Sequence, residues 1–132
     1  MLCKYKPKIL LVEDQLIAQN IATMIFKSCG CYFDVAENGH EALDYSRKYT
    51  YDLILMDIGL PDKNGLTVTK EIRAREFASL LNKTPIVGLS VHTPKTTEKQ
   101  AMEAGMDGYF VKPMTTNMCK EILNQFTGIS TK

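Results

Sequence analysis

Leu53-Ile54-Leu55-Met56-Asp57-Ile58-Gly59-Leu60-Pro61-Asp62-Lys63-Asn64-Gly65 is the stretch that decides how this chain folds. Four apolar residues in a row predict a short strand buried on both faces. The run stops at a carboxylate, and a Gly/Pro/Asn-rich loop follows. Asp57 is therefore expected at the carboxyl end of a central strand, where open α/β sheets build their ligand sites. Taken alone, such an aspartate is more often a turn residue than a nucleophile or metal ligand. Its neighbours in the fold decide between these readings.

Outward from that stretch, other short apolar runs end in the same way. Lys8-Ile9-Leu10-Leu11-Val12 predicts a first buried strand ending in Glu13 and Asp14, and Asp14 also suits the cap of the helix that follows. That helix carries Ile17, Ile21, Met24, Ile25 and Ser28 at three- and four-residue steps, expected as one stripe facing the sheet. Gly30 is a natural left-handed stop for it. Tyr32 to Ala36 predicts a short strand at the sheet edge. Asn38-Gly39 opens a short helix to about Tyr49, with Ala42, Leu43 and Tyr45 or Ser46 inward.

Beyond the central loop, Leu66, Thr69, Ile72 and Arg73 set a helical period that Phe77, Leu80 and Leu81 extend. Ile86-Val87-Gly88-Leu89 predicts a buried strand delivering Ser90. A helix from about Pro94 to Ala104 is poor in apolar residues, Ala101 and Met102 against Lys95, Glu98, Lys99, Gln100 and Glu103, and Gly105 stops it. Tyr109-Phe110-Val111 is the last strand and ends at Lys112-Pro113. The last helix, capped near Thr115, puts Met114, Met118, Ile122 and Phe126 on one face. Residues 128–132 read as a fraying tail.

Five β-α repeats of this kind predict a single doubly wound α/β domain, a five-stranded parallel sheet with five helices on its two faces. Its 132 residues suffice for one core. The formal net charge of +1 excludes a broad basic field for nucleic acid. Apolar runs of four residues are too short to span a membrane, and the basic lead Lys4-Tyr5-Lys6-Pro7-Lys8 lacks a signal peptide's apolar stretch. A cytoplasmic location is expected. Cys29 and Cys31 lack zinc-knuckle spacing, so with Cys3 and Cys119 they are read as reduced, partly buried thiols.

Glu13, Asp14, Asp57, Ser90 and Lys112 all fall at strand carboxyl ends, and the fold would gather them at one rim. Crowded carboxylates repel unless a cation or protons neutralise them. An all-oxygen cluster of this kind favours Mg²⁺, which keeps waters and accepts a phosphate oxygen. Lys112 and Ser90 suit phosphoryl oxygens, and a carboxylate can attack phosphorus to form an acyl phosphate. Five such residues at five successive junctions are poorly explained as solvated loop charges.

With those residues in view, the chain resembles the receiver domains of two-component response regulators. The matching segments are Leu11-Val12-Glu13-Asp14, Asp52 to Pro61 with Gly65, Leu89-Ser90, Ala104-Gly105-Met106-Asp107-Gly108-Tyr109 and Lys112-Pro113. The resemblance implies a flavodoxin-like sheet in the order 2-1-3-4-5 and a receiver unit over residues 8–127. It implies that Asp57 takes a phosphoryl group from a phosphohistidine. Glu13, Asp14, Asp57 and the backbone carbonyl of Gly59 would hold Mg²⁺, and Ser90 and Lys112 would bind the phosphoryl oxygens. Tyr109 would act with Ser90 as the switch, and the Lys112–Pro113 bond would be cis.

Ser90 replaces the commoner threonine and keeps the hydroxyl, while Gly59 offers no side chain two residues beyond the acceptor. His92 is read as a solvated loop residue. The surface of the fourth helix, last strand and last helix is the expected output face, open also to dimer formation. Expected partners are a histidine kinase or histidine-phosphotransfer domain, with no nucleic acid or membrane bound directly.

Val12-Glu13-Asp14-Gln15 with Asn20, the Asp57–Asp62 run and Ala104–Gly108 look most like receivers of hybrid histidine kinases. The basic lead of residues 1–7 would then be a linker remnant, and the domain the cytoplasmic part of a membrane-anchored sensor. A stand-alone or excised regulator is the alternative. Two rival classes are weighed against this reading. A haloacid-dehalogenase-type phosphotransferase needs a second aspartate where Gly59 stands. A non-phosphorylated pseudo-receiver gains no support, because all five site residues are present.

Overall fold

The computed structural model describes residues 6–91 and 95–128. Five β-α units follow one another: β1 (Lys8–Val12), α1 (Leu16–Ser28), β2 (Tyr32–Ala36), α2 (Gly39–Lys48), β3 (Leu53–Asp57), α3 (Gly65–Ala78), β4 (Ile86–Ser90), α4 (Lys95–Ala104), β5 (Gly108–Val111) and α5 (Thr116–Thr127). The strands are all parallel, in the order β2-β1-β3-β4-β5. The doubly wound sheet read from the sequence is thus the fold. β2 lies at one edge, and β3 is held between β1 and β4.

Every residue of β3 and β4 is buried, because helices cover both faces and each strand must feed two apolar layers. Leu10, Val12, Ile54, Met56 and Ile86 point to one layer, closed by Ala42 and Leu43 of α2, Val68 and Ile72 of α3 and Ala101 of α4. Ile9, Leu11, Leu53, Leu55, Val87 and Leu89 point to the other, closed by α1 and α5. The period-two alternation of the strands sorts these residues.

Local signals set most of the boundaries. Asn38 caps α2 by accepting from the Glu41 N–H, while Glu41 accepts in return from the Glu37 N–H. Thr115 caps α5 through the Met118 N–H. Gly30, Gly105 and Gly128 have positive φ where α1, α4 and α5 stop. The Lys112–Pro113 peptide is cis. Among the described residues no helix is long and apolar enough to cross a membrane.

Three expectations need correction. Asp14 does not cap α1: Gln15 is the N-cap, without a side-chain cap bond, and Asp14 stays at the carboxylate rim beside the Gln15 amide. The α1 stripe is rotated as well. Gln19, Ala22, Ile25 and Phe26 face the sheet, while Ile17 is 76% exposed and Met24 71%. Leu16, Ile17, Ile21 and Met24 form a second, outward stripe, and of the residues assigned inward only Ile25 is buried.

The third correction concerns α3. Phe77 lies within α3 on its outward face, the helix ends at Ala78, and Leu80 takes a positive φ of 55°; Phe77, Leu80 and Leu81 are exposed rather than packed. As its sparse apolar content implies, α4 buries little, Ala101 and Ala104, with Met102 outside. Expectations about residues 1–5 (with Cys3 and Lys4), His92, Pro94 and residues 129–132 lie outside the described residues.

Candidate functional site

The ends of β1 and β3 bring three carboxylates together. Glu13, Asp14 and Asp57 each offer an oxygen, and these oxygens all lie within 4.8 Å of one another. Backbone bonds hold the rim in place. The Glu13 N–H donates to the Ala36 carbonyl at 2.9 Å, and the Ile58 N–H donates to the Leu89 carbonyl at 3.1 Å. Glu13 is 2% exposed and Asp57 7% exposed, so their charges are largely removed from water.

Lys112 reaches into this cluster from the end of β5. Its ammonium donates to Glu13 Oε1 and lies 3.5 Å from Asp57 Oδ2. One cation faces three acids. Burial pushes the Asp57 carboxyl up to about 6, and the Glu13 charge adds to the shift; Lys112 and the Gly59 N–H, which donates to Asp57 Oδ1 at 3.1 Å, act against it. A site of hard oxygen donors with surplus negative charge fits a small divalent cation.

The loop after Asp57 is braced from both ends. The Gly65 N–H donates to the Ile58 carbonyl at 2.8 Å. A Cβ at Gly65 would lie 2.3 Å from the Asp57 carbonyl oxygen, so the start of α3 approaches β3 as only glycine allows. Asp62 accepts from the N–H groups of Gly39 and His40 at the start of α2, and these donors hold its carboxyl below the usual range.

Ser90 is buried at the end of β4, and its hydroxyl donates to the Val91 carbonyl at 2.9 Å. Tyr109, on β5, is half-buried against the layer that contains Ile58 and Met106. The structure therefore brings Glu13, Asp14, Asp57 and Lys112 into one cluster. Ser90 and Tyr109 stand on the adjacent strands, with the Ser90 proton committed to Val91.

Gln19 escaped the sequence reading. Buried on α1, it donates from Nε2 to the Glu13 carbonyl at 2.7 Å and fixes the turn carrying Glu13 and Asp14. The available signal was its spacing, three residues before Ala22 on the face that Ile25 and Phe26 continue. A second unexpected feature is a small groove of about 110 Å³ beside α1, lined by Ala18, Ile21, Ala22, Pro113 and Met114 and reaching Glu13 and Lys112.

Comparison with known proteins agrees with this geometry. Residues 9–124 match the response regulator receiver domain model, and the chain belongs to that family, the receiver domains of two-component phosphorelays. It is 35% identical over 130 residues to hybrid signal transduction histidine kinase B of Dictyostelium discoideum, covering 89% of this chain but 7% of that kinase. It is 34% identical over 125 residues to two-component response regulator 24 of Arabidopsis thaliana, covering 94% of this chain and 86% of that protein.

Among solved structures, the chain is similar to the receiver domain of a Pseudomonas aeruginosa sensor histidine kinase that has a magnesium ion in its active-site cleft. The TM-score is 0.84 at 30% identity, covering 95% of this chain and all (100%) of that one. It is also similar to the Saccharomyces cerevisiae Ssk1 receiver domain, solved with the histidine phosphotransfer protein Ypd1. There the TM-score is 0.86 at 25% identity, covering 93% of this chain and 90% of that one.

Proposed function

We propose that Asp57 accepts a phosphoryl group from a phosphohistidine on a histidine kinase or histidine-phosphotransfer domain. The observation that carries this reading is the convergence of the Glu13, Asp14 and Asp57 carboxylates, with the Lys112 ammonium against Glu13 and Asp57. An Asp57 oxygen attacks phosphorus, the P–N bond breaks, and the imidazole leaves with the bonding pair. Mg²⁺, held by Glu13, Asp14, Asp57 and the Gly59 carbonyl, would supply charge neutralisation for the acids and the transferred group. Lys112 binds one phosphoryl oxygen. Ser90 exchanges the Val91 carbonyl for another, and Tyr109 follows it inward.

The outward stripe of α1 and the groove beside it support a protein donor. They form an exposed apolar surface next to the carboxylates, the kind of patch that marks a docking site. The output face is α4, β5 and α5. α4 has little burial holding it, and new negative charge at Asp57 draws on Ser90 and Lys112 along its edge. Equal hydrogen-exchange protection there with and without a phosphoryl mimic would rule that out. Residues 8–127 form the receiver unit. The kinase relatives support a hybrid histidine kinase as parent, and the similarity to the Arabidopsis regulator keeps a stand-alone regulator as the second reading.

The test is intact mass after incubation with acetyl phosphate or phosphoramidate and Mg²⁺, beside Asp57→Ala. One added phosphoryl group, lost in the variant and without Mg²⁺, is expected. No gain, together with no binding of beryllium fluoride, would overturn the proposal in favour of a pseudo-receiver.

A further inference from the structure

Two of the three rim acids are gripped at the carboxylate itself. Glu13 receives the Lys112 ammonium at Oε1 and the Gln15 N–H at Oε2, the latter at 3.1 Å. Asp57 receives the Gly59 N–H at 3.1 Å, with the Lys112 ammonium 3.5 Å away. Asp14 differs. Among the described residues, its carboxylate is met by the exposed Gln15 side-chain amide at 3.1 Å, a bond for which water competes. The place of Asp14 therefore depends on its backbone, and one residue pins that backbone on both sides. The Gln19 side-chain amide donates to the Glu13 carbonyl at 2.7 Å, and the Gln19 backbone N–H donates to the Gln15 carbonyl at 2.9 Å. Glu13 and Gln15 are the residues before and after Asp14. Gln19 is 8% exposed, so its bond to Glu13 is shielded from water. A carboxamide on the sheet-facing stripe of α1, in line with Ala22, Ile25 and Phe26, carries a desolvation cost that an apolar side chain would avoid. Packing alone does not call for it.

We infer that Gln19 is a positioning residue for the divalent cation, setting where Asp14 stands relative to Asp57 before the ion arrives. The inference rests on the phosphoacceptor reading, which calls for that ion. Gln19 touches neither the ion nor the phosphoryl group; it acts through the turn from Glu13 to Gln15. Mg²⁺ demands near-ideal octahedral geometry, so a turn free to shift costs affinity for this ion directly. Groups that stand behind metal ligands govern affinity by about 10–100-fold. Nothing local to Asp14 replaces Gln19 in this role, because the Gln15 side chain is itself exposed.

The test titrates Mg²⁺ calorimetrically into metal-free wild type, Gln19→Met and Arg73→Met, each below its melting temperature. Methionine keeps the length of Gln19 and removes the donor. Arg73→Met loosens the fold through Gly105, Thr84, Glu76 and Asp107, away from the rim. Gln19→Met should raise the Mg²⁺ dissociation constant about tenfold or more, whereas Arg73→Met should leave it within about twofold. With acetyl phosphate, the Mg²⁺ concentration for half-maximal phosphorylation of Gln19→Met should rise by the same factor, and the rate at saturating Mg²⁺ should stay near that of the wild type. An unchanged dissociation constant in Gln19→Met, or an equal rise in both variants, would overturn the inference and leave the phosphoacceptor reading standing. A wild type that binds no Mg²⁺ would overturn both. If Gln19→Met does not fold, nuclear magnetic resonance of the wild type decides. The Gln19 side-chain amide protons should exchange slowly and shift with the calorimetric midpoint as Mg²⁺ is added. Freely exchanging protons, or signals indifferent to the ion, would overturn the inference.

Discussion

The backbone N–H of Lys112 donates to the Ser90 carbonyl at 2.7 Å, so the two residues proposed to grip the phosphoryl group share one hydrogen bond. Their side chains point to different partners: Lys112 to Glu13 and Asp57, Ser90 to Val91. A pull on either reaches the other through the β4–β5 pairing. Replacing Ser90 by Ala keeps that backbone bond and removes only the hydroxyl. Phosphorylation of Asp57 by acetyl phosphate should slow by about tenfold, the loss of one hydrogen bond to a charged group, with little change in fold. Initial rates by intact mass and a far-ultraviolet melt check both parts.

Lys112 also holds the rim together before any phosphoryl group arrives. Lys112→Met should destabilise the metal-free protein by about 3 kcal/mol, because Glu13 and Asp57 lose their buried counter-charge. Millimolar Mg²⁺ should restore part of that loss. Urea unfolding with and without the cation measures it, and an equal loss under both conditions would contradict the cluster's fit to a cation.

The raised Asp57 carboxyl sets a pH dependence. It binds its proton more tightly folded than unfolded, since its value rises from 3.8 to about 6. Its contribution to stability is complete below 3.8 and is lost as pH rises through about 6. In the absence of metal, the wild type should therefore lose stability from pH 4 to 7 relative to Asp57→Asn, and at pH 7 the Asn variant should be the more stable by about 3 kcal/mol. Thermal melts across that range decide it. Parallel curves for the two proteins would remove the inferred crowding.

Arg73 ties α3 to the turn before β5. Its guanidinium donates to the Gly105 and Thr84 carbonyls, to Glu76 and to Asp107, each at 2.8–2.9 Å. Glu76 is 5% exposed. Arg73→Met should cost about 3–5 kcal/mol by leaving that carboxylate without its cation. The denaturation midpoint in urea should fall, with an m-value near that of the wild type.

The outward stripe of α1 separates a protein donor from a small one. Ile17→Asp with Met24→Asp should leave stability within about 0.5 kcal/mol, since both side chains are exposed. Transfer from a phosphohistidine domain should fall by about tenfold or more, while reaction with acetyl phosphate stays unchanged. An equal fall with both donors would place the defect in the site and not on the docking surface.

The same stripe explains what was legible in the sequence and what was not. The buried strands were plain because a strand covered on both faces is apolar without interruption, and each run stopped at the residue it delivers to the rim. Hence the strand ends alone pointed to Glu13, Asp14, Asp57 and Lys112, which the structure clusters, and to Ser90, which it leaves on the adjacent strand. α1 has two apolar stripes, and periodicity finds a stripe without saying whether sheet or partner takes it. Ile17, Ile21 and Met24 are the more hydrophobic set, yet Ala22, Ile25 and Phe26 with the polar Gln19 face inward. Phe77, Leu80 and Leu81 misled for a related reason. Phe77 continues α3 on its outward face, while Leu80 and Leu81 lie past its end at Ala78, where a positive φ at Leu80 redirects the chain. Gln19, Glu76 and Arg73 are polar groups whose burial depends on partners distant in sequence, beyond the reach of local pattern.

The placement of β3 and β5 in the sheet divides stiffness from compliance. Asp57 stands at the tip of β3, which is zipped to a neighbour along each side, while β5, bearing Tyr109 and leading into Lys112, is zipped to β4 alone. The proposed acceptor is anchored on the strand hardest to displace, and the proposed switch residue rides on a marginal strand whose shift breaks a single ladder. A disturbance at the acceptor can then leave the molecule sideways, across the sheet's outer hem, without loosening its centre.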